Sequence, residues 1–504
     1  MAVTTVARNR YLELGASVAL GLAVACGVLF GGALYAAAGL AGIAGVLLAA
    51  RSRHLVLAGF VGVAALLPYA VIPVSIGGVR LTLVDVLLSA LLLSVFAGLL
   101  LRIETRRGTP IDWMVAAFVV VSGAAFILGT AYGITGEQTR QFLKLVNSTL
   151  LFFTLTQFVR ERHEIDRLTR LIASAGVVAA LLGVILYHLP PAVSNSLLVS
   201  LRPLGYPSGN VLRYIEDAGV RTDVLRATGT SVDPNVFGAL LIVIGTLATG
   251  HAIRAAGRAA IAWYLGAAVV VYALLVSLSR GSWLGFGIGS LAVVILLRPR
   301  LLWWLGGGVV VTMVAFAGII ARFGEHFLRG LFVQDQATGM RLGEYKDALR
   351  LIQEHPFLGI GFGGAPSIDR YLGVSSTFLL IASEVGLVGL GLFLGVIGFT
   401  LMRVRIALRH QRGDDRARTT VLACTLAGML VAGGLDRHFY DLRFPHMAAL
   451  LWLVIGLVHI SIGIQRADAY RGGREVEGEG AANPGQEGRA GADSRPHLAS
   501  DGHP

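Results

Sequence analysis

The chain has 504 residues, of which 55% are hydrophobic and only 14% charged, and its mean hydropathy is +0.72. Soluble globular domains carry about a quarter charged residues, so these proportions exclude an ordinary soluble protein and point to a chain that crosses a bilayer many times. The formal charge of +12 does not indicate a nucleic-acid partner, because the basic residues are spread over the connections between apolar runs and not gathered on one soluble face.

A bilayer core takes about 20 apolar residues per helix. About fourteen such segments are predicted, at 12–31, 33–50, 55–74, 82–101, 112–132, 142–159, 168–189, 234–250, 259–278, 283–297, 301–320, 376–402, 419–435 and 446–464. The expected fold class is an all-α polytopic membrane protein. Basic residues flanking membrane spans stay on the cytoplasmic side, and Arg8/Arg10, Arg51/Arg53, Arg102/Arg106/Arg107, Arg160/Arg162/Arg167, Arg254/Arg258, Arg298/Arg300 and "RVRIALRHQRGDDRAR" (403–418) fall on every second connection. Both termini are therefore expected in the cytoplasm, and the long connections 190–233 and 321–375 outside. "MAVTTVARNR" precedes an apolar run without a convincing cleavage site, so an uncleaved first helix is expected. Cys26 and Cys424 lie far apart inside apolar runs, which argues against a disulfide framework or a metal cluster. From Gln465 the chain is polar and Gly-rich, predicting a disordered cytoplasmic tail over 465–504 and leaving 1–464 as one membrane domain.

Ionisable residues in or beside membrane spans are costly and mark functional candidates. Four places qualify. In "DVLRATGTSVDPNVFGALL" (223–241), Arg226 precedes a Gly-Thr-Ser turn and Asp233-Pro234 opens a helix, Asp as cap and Pro at the first position. In "SLSRGSW" (277–283), Arg280 falls in a tight break between two spans, where a guanidinium fork suits phosphate oxygens or, more plainly, anchors a helix end. In "RLGEYKDALRLIQEHPFLGIGFGGAPSIDRYLGVSS" (341–376), Leu342, Tyr345, Ala348, Leu349 and Ile352 have the spacing of an amphipathic helix lying on the outer face, and His355 reads as a capping or packing residue. "GIGFGG" lacks the spacing and strand context of a nucleotide fingerprint. Last, "GGLDRHFYDLRFPH" (433–446) packs Asp436, Arg437, His438, Asp441 and Arg443 into a short connection that is either a solvated loop or a source of phosphate and sugar contacts, with His438 suited to titrate near neutral pH.

In order and spacing, "RATGTSVDPN", "SLSRGSWL", "RLGEYKDALRLIQEHPFLGIGFG" and "VSSTFLLIASEVGLVGLG" (374–391) resemble the O-antigen ligase and polysaccharide polymerase superfamily of bacterial inner membranes, well over about 200–405 and elsewhere only in helix count. The resemblance implies a C-type glycosyltransferase-like fold with a partly helical external loop. It also implies a polyprenyl-diphosphate-linked glycan donor, a saccharide or lipid-saccharide acceptor, and neither a nucleotide sugar nor an obligatory metal or cofactor. Arg226 and Arg280 take the places of the family's diphosphate-binding arginines, and Arg341 is a third candidate for the diphosphate that would also help order the external loop. The family's motif of His, then Asn, Ser or Gln, nine residues, Gly, two residues and a small residue is matched by Ser376, Gly386 and Gly389, but Ser375 stands where the family has His. A hydroxyl is a poor general base unless activated. Three readings stay open: another base among Glu384, Asp369 and His438; a branch with a different acceptor; or a non-catalytic binder of lipid-linked glycans. Rival classes are a transporter or flippase, for which a charge at membrane depth such as Glu384 speaks, and a cell-wall polymerase that would need Asp369 as its loop carboxylate. Glu384 lies nine residues past Ser375, about 13 Å deeper on a straight helix, and reads better as an interior hydrogen-bonding anchor than as Ser375's partner.

Overall fold

The computed structural model describes residues 51–76, 79–129, 134–217, 220–303, 336–362 and 374–481. The first two expected spans, nearly all of 301–320, Asp369 and the tail beyond Ala481 lie outside the described residues. Helix α1 (Arg53–Leu66) leads into a hairpin of β1 (Val71–Ile76) and β2 (Val79–Thr82), followed by α2 (Leu83–Leu100), α3 (Asp112–Leu128), α4 (Gly136–Phe158), α5 (Arg162–His188) and the short α6 (Pro191–Val199). A second hairpin, β3 (Arg213–Asp217) with β4 (Val220–Arg226), precedes α7 (Pro234–Arg254), α8 (Gly257–Ser277), α9 (Arg280–Leu297), α10 (Gln336–Glu354), α11 (Thr377–His410), α12 (Gly413–Leu435) and α13 (Pro445–Ala481). Among the described residues, eight helices are long and apolar enough to cross a membrane. The protein is thus mostly helical and of polytopic membrane type.

Two expectations change. The run 55–74 is not one span: α1 ends at Leu66 and the chain turns into the β1–β2 hairpin, where β-branched residues on either side of Gly77-Gly78 fit strands better than helix. The connection 190–233 contains α6 and the β3–β4 hairpin, so the fold is not purely α.

Helix starts follow local chemistry. Thr82 and Thr135 close capping boxes with Asp85 and Gln138, each such cap contributing about 1 kcal/mol. Asp233 Oδ1 accepts from Asn235 N (2.8 Å) and Val236 N (3.0 Å) ahead of Pro234. Helix α7 is buried almost all round, contacting α5, α8, α9 and α12, and so forms the axis of the bundle. Next to it α9 and α12 approach so closely that a Cβ on Gly285 would come within 2.6 Å of the Gly428 carbonyl oxygen, and one on Gly428 within 2.6 Å of that of Gly285. In lipid such packing of small residues replaces the hydrophobic drive. Two-residue connections at Ala255-Ala256, Leu278-Ser279 and Gln411-Arg412 force consecutive helices to run antiparallel.

At one end, Arg418 on α12 meets Asp166 (2.6 Å), Asp414 (3.1 Å) and Asp415 (2.7 Å), and Arg254 on α7 meets Asp166 (3.1 Å) and Asp414 (2.7 Å). These pairs tie α5, α7 and α12 together. The opposite end carries β4, the α8–α9 turn and the first turn of α11.

Helix α11 is broken at Gly386, whose backbone (φ 78°, ψ 179°) no other residue adopts readily. The segment after α10 fills the break: Ile360 N donates to Ser383 O (2.9 Å), Gly361 N to Glu384 O (3.0 Å), and Leu387 N to Pro356 O (2.7 Å). The stretch 356–361 is therefore the element that replaces the missing helical bonds of α11. A Cβ at Gly386 would lie 2.1 Å from the Phe357 carbonyl oxygen. Gly386→Ala is expected to destabilise by about 1–3 kcal/mol from backbone strain plus that clash, read as a lower unfolding temperature in detergent, whereas Gly391→Ala, in open space, should leave it unchanged.

Candidate functional site

Arg226 ends β4, and Ala227 N donates to Val276 O (2.9 Å), which lays the strand's end on the last turn of α8. The Arg226 guanidinium is thereby fixed: Nε donates to Ser277 O (3.0 Å), Nη2 to Asn235 Oδ1 (2.8 Å) and to Leu278 O (3.3 Å). Its Nη1 has no hydrogen-bond partner among the described residues. Two residues past Leu278, Arg280 begins α9, so both arginines sit at the same turn. Leu278 takes a left-handed backbone (φ 54°) and the Ser279 and Ser282 hydroxyls bond at 2.9 Å, which holds the turn tight. Burial pushes the Arg226 pKa down to about 10, with Asp233 opposing and Arg341 and Arg280 adding to the depression; it remains a cation at neutral pH.

The connection 436–444 folds inward. His438, Phe439, Tyr440, Asp441 and Leu442 are all buried, so the solvated-loop reading of this stretch is wrong; its apolar residues alternate with charges that neutralise one another. Asp436 forms ion pairs with His438 Nε2 at 3.0 Å and Arg341 Nη2 at 3.5 Å, and accepts from the Arg437 amide at 2.7 Å. Asp441 pairs with Arg437 (3.0 Å) and Arg443 (2.6 Å). Although burial alone would raise the Asp436 carboxyl, His438 and Arg341 hold it down at about 2. The converse holds for His438: burial lowers it, but Asp436 overrides burial and raises it above the ordinary imidazole value.

Helix α10 and the start of α11 close the site. Arg341 reaches Asp436, the Ser375 hydroxyl donates to the Glu344 carboxylate, and Tyr345 Oη donates to the Ser375 carbonyl (3.2 Å). Thr377 donates to Asp436 O through both its amide and its hydroxyl, each at 3.1 Å. The expected amphipathic helix is present, with Ala348 and Ile352 buried and Leu342 and Leu349 exposed.

The structure thus brings Arg226, Arg280, Arg341, Asp436, His438 and Ser375 to one end of the bundle, and Arg437 supports the inward-folded connection through Asp441. Glu384 is buried on α11; among the described residues the hydrogen bond it makes runs through its backbone carbonyl, to Gly361. The residue that sequence reasoning missed is Glu344. It sits three residues past Arg341, the helical spacing that puts two side chains on one face, but nothing in the sequence links it to Ser375, 31 residues on. Among the described residues, no group of three or more His, Cys, Asp or Glu side chains gathers as a metal site.

The His438–Asp436 pair carries a pH dependence. A raised histidine contributes stability that is fully present below its ordinary value of about 6.5 and is lost as pH rises through the raised value; a lowered aspartate contributes stability present above about 3.8 and lost as pH falls towards 2. The gap in unfolding temperature between the parent and His438→Gln should therefore be widest between about pH 4 and 6.5 and shrink in alkali. A gap that widens with rising pH would contradict the pairing.

The O-antigen ligase family model matches residues 265–394. The segment contains Arg280, Arg341, Glu344, Ser375, Glu384 and the break at Gly386, whereas Arg226, Asp436 and His438 lie outside it. No match is found among curated proteins. One chain of a solved structure, described as "Structural coordination of polymerization and crosslinking by a peptidoglycan synthase complex", is similar over 70% of this chain and 98% of its own, at 21% identity and a TM-score of 0.37; a likeness at that score supports no conclusion about fold or activity. Residues 265–394, which hold the α8–α9 turn and the broken α11, are thus similar to the O-antigen ligase family.

Proposed function

We propose that the protein transfers a glycan from a polyprenyl diphosphate to a saccharide or lipid-saccharide acceptor at the outer face of the bacterial cytoplasmic membrane, as an O-antigen ligase- or polymerase-like enzyme of cell-surface polysaccharide synthesis. The observation that carries this reading is the fixing of Arg226 on the Ser277 and Leu278 carbonyls, which brings two guanidinium groups to one tight turn at the end of the bundle. A pair of cations there suits a diphosphate, whose charge grows as the glycosidic C–O bond breaks; stabilising that charge is electrostatic catalysis. The rest of the assembly would then have fourteen or so spans in a C-type glycosyltransferase-like arrangement, with both termini in the cytoplasm and the Arg226 end outside.

His438 suits binding better than base work. Asp436 raises its pKa above the ordinary imidazole value, which disfavours proton acceptance and favours a cationic role beside Arg226, Arg280 and Arg341. Donor entry is from the outer leaflet, and the acceptor hydroxyl attacks the anomeric carbon opposite the leaving diphosphate, inverting it.

A substrate-translocating protein is the second reading, favoured by the buried Glu384 and by the broken α11, since broken helices often expose carbonyls to transported ions. Here, however, the carbonyls of Ser383 and Glu384 are taken by Ile360 and Gly361.

Arg226→Ala and Arg280→Ala should each slow consumption of the lipid-linked glycan by about a hundred-fold or more. Lysine at either position should restore little, because a point charge lacks the bidentate fork. Transfer at the parent rate by both alanine variants would rule out the diphosphate role, and substrate-driven ion flux in liposomes would favour translocation.

A further inference from the structure

Among the described residues, the carboxylates of the site are committed, with one exception. Asp233 caps α7 through two backbone amides. Asp436 is held by His438, Arg341 and the Arg437 amide, and Asp441 by Arg437 and Arg443. A carboxylate tied to cations gives up its basicity. Glu384 is buried within α11, beyond the first turns that meet the site. Glu344 differs: among the described residues its partner is the neutral hydroxyl of Ser375, which donates to Oε2.

We infer that Glu344 is the general base that takes the acceptor's proton, and that Ser375 is a positioning residue that holds it. The inference rests on the transfer reading above and names the group that reading leaves unassigned. Position supports it. Arg341, Glu344 and Tyr345 lie within little more than one turn of α10; Arg341 binds Asp436 and Tyr345 binds the Ser375 carbonyl. Those two contacts fix the helix against α11 and the 436–444 connection, and the Glu344 carboxylate meets Ser375 at the start of α11. With Oε2 held by Ser375, Oε1 has no hydrogen-bond partner among the described residues and is the atom that can accept a proton.

The step balances. The acceptor O–H proton passes to Oε1 as the acceptor oxygen bonds to the anomeric carbon. The anomeric C–O bond to phosphate breaks, its electron pair stays on the polyprenyl diphosphate held by Arg226 and Arg280, and the proton later leaves Glu344 to water. A serine hydroxyl at position 375 thus orients a base contributed by α10 and need not act as one.

The test uses membranes that contain the full-length protein, with the lipid-linked glycan of those membranes as donor for transfer and sugar-free polyprenyl diphosphate as the binding probe. Glu344→Gln should lower transfer by about a hundred-fold or more while polyprenyl diphosphate binds as to the parent. Transfer within a few-fold of the parent, or loss of diphosphate binding together with transfer in a variant that remains folded, overturns the inference. Arg280→Ala separates the two levels: if it loses binding and transfer while Glu344→Gln keeps transfer, only the base assignment fails, and if it too keeps both, the transfer reading fails with it. Should Glu344→Gln not fold, Ser375→Ala decides. It should lower the rate at saturating donor with the KM for donor unchanged, and Ser375→Thr, which keeps the hydroxyl, should restore the rate; equal rates in Ser375→Ala and the parent overturn the inference.

Discussion

Inside a bilayer no water satisfies a backbone carbonyl, so every one exposed by a break in a helix must find a protein donor. The break of α11 at Gly386 leaves Ser383 and Glu384 with open carbonyls, and the stretch after α10 supplies Ile360 and Gly361 to close them. This constraint sets much else. It draws the residues behind α10 into the bundle and fastens the C-terminal end of α10 to α11. The side-chain contacts of Arg341, Glu344 and Tyr345 then fix the helix over the first turn of α11. Gly386 is required because its conformation and the approach of Phe357 leave no room for a side chain.

The same logic fixes the arginines. A guanidinium at a helix junction is costly to bury unless its N–H groups are used, and Arg226 uses three hydrogen bonds, two of them to the carbonyls that end α8. Its position is therefore determined by the break between α8 and α9, the break that also starts α9 with Arg280. Two helix interruptions, one after Ser277 and one at Gly386, organise the site, and the charged connection 436–444 meets the start of α11 through Thr377 and pairs both within itself and with Arg341 on α10.

Charge balance distinguishes roles within this cluster. Asp436 and His438 are buried in each other's field, which raises the histidine's pKa and makes the aspartate a poor base. Asp441 is clamped from two sides. Among the described residues, Glu344 is the carboxylate of the cluster held by a hydroxyl and not by a cation. A serine at position 375 need not mean a site without proton chemistry, because the proton acceptor can stand on the neighbouring helix.

The sequence by itself determined the multi-pass membrane character, most of the described spans to within a turn or two, and the order of the charged motifs, because hydropathy over about 20 residues and motif spacing are properties of the chain alone. It marked Arg226, Arg280, Arg341, Asp436 and His438 as candidates, since an ionisable group beside an apolar run is conspicuous without a structure. Tertiary structure alone decided that 71–76 and 79–82 pair as antiparallel strands, that "GGLDRHFYDLRFPH" folds inward, and that 356–361 closes a broken helix. It alone joined Glu344 to Ser375. Those outcomes depend on which carbonyls and charges lie near one another after packing, and contacts between residues 31 or 95 positions apart leave no periodicity along the chain from which to read them.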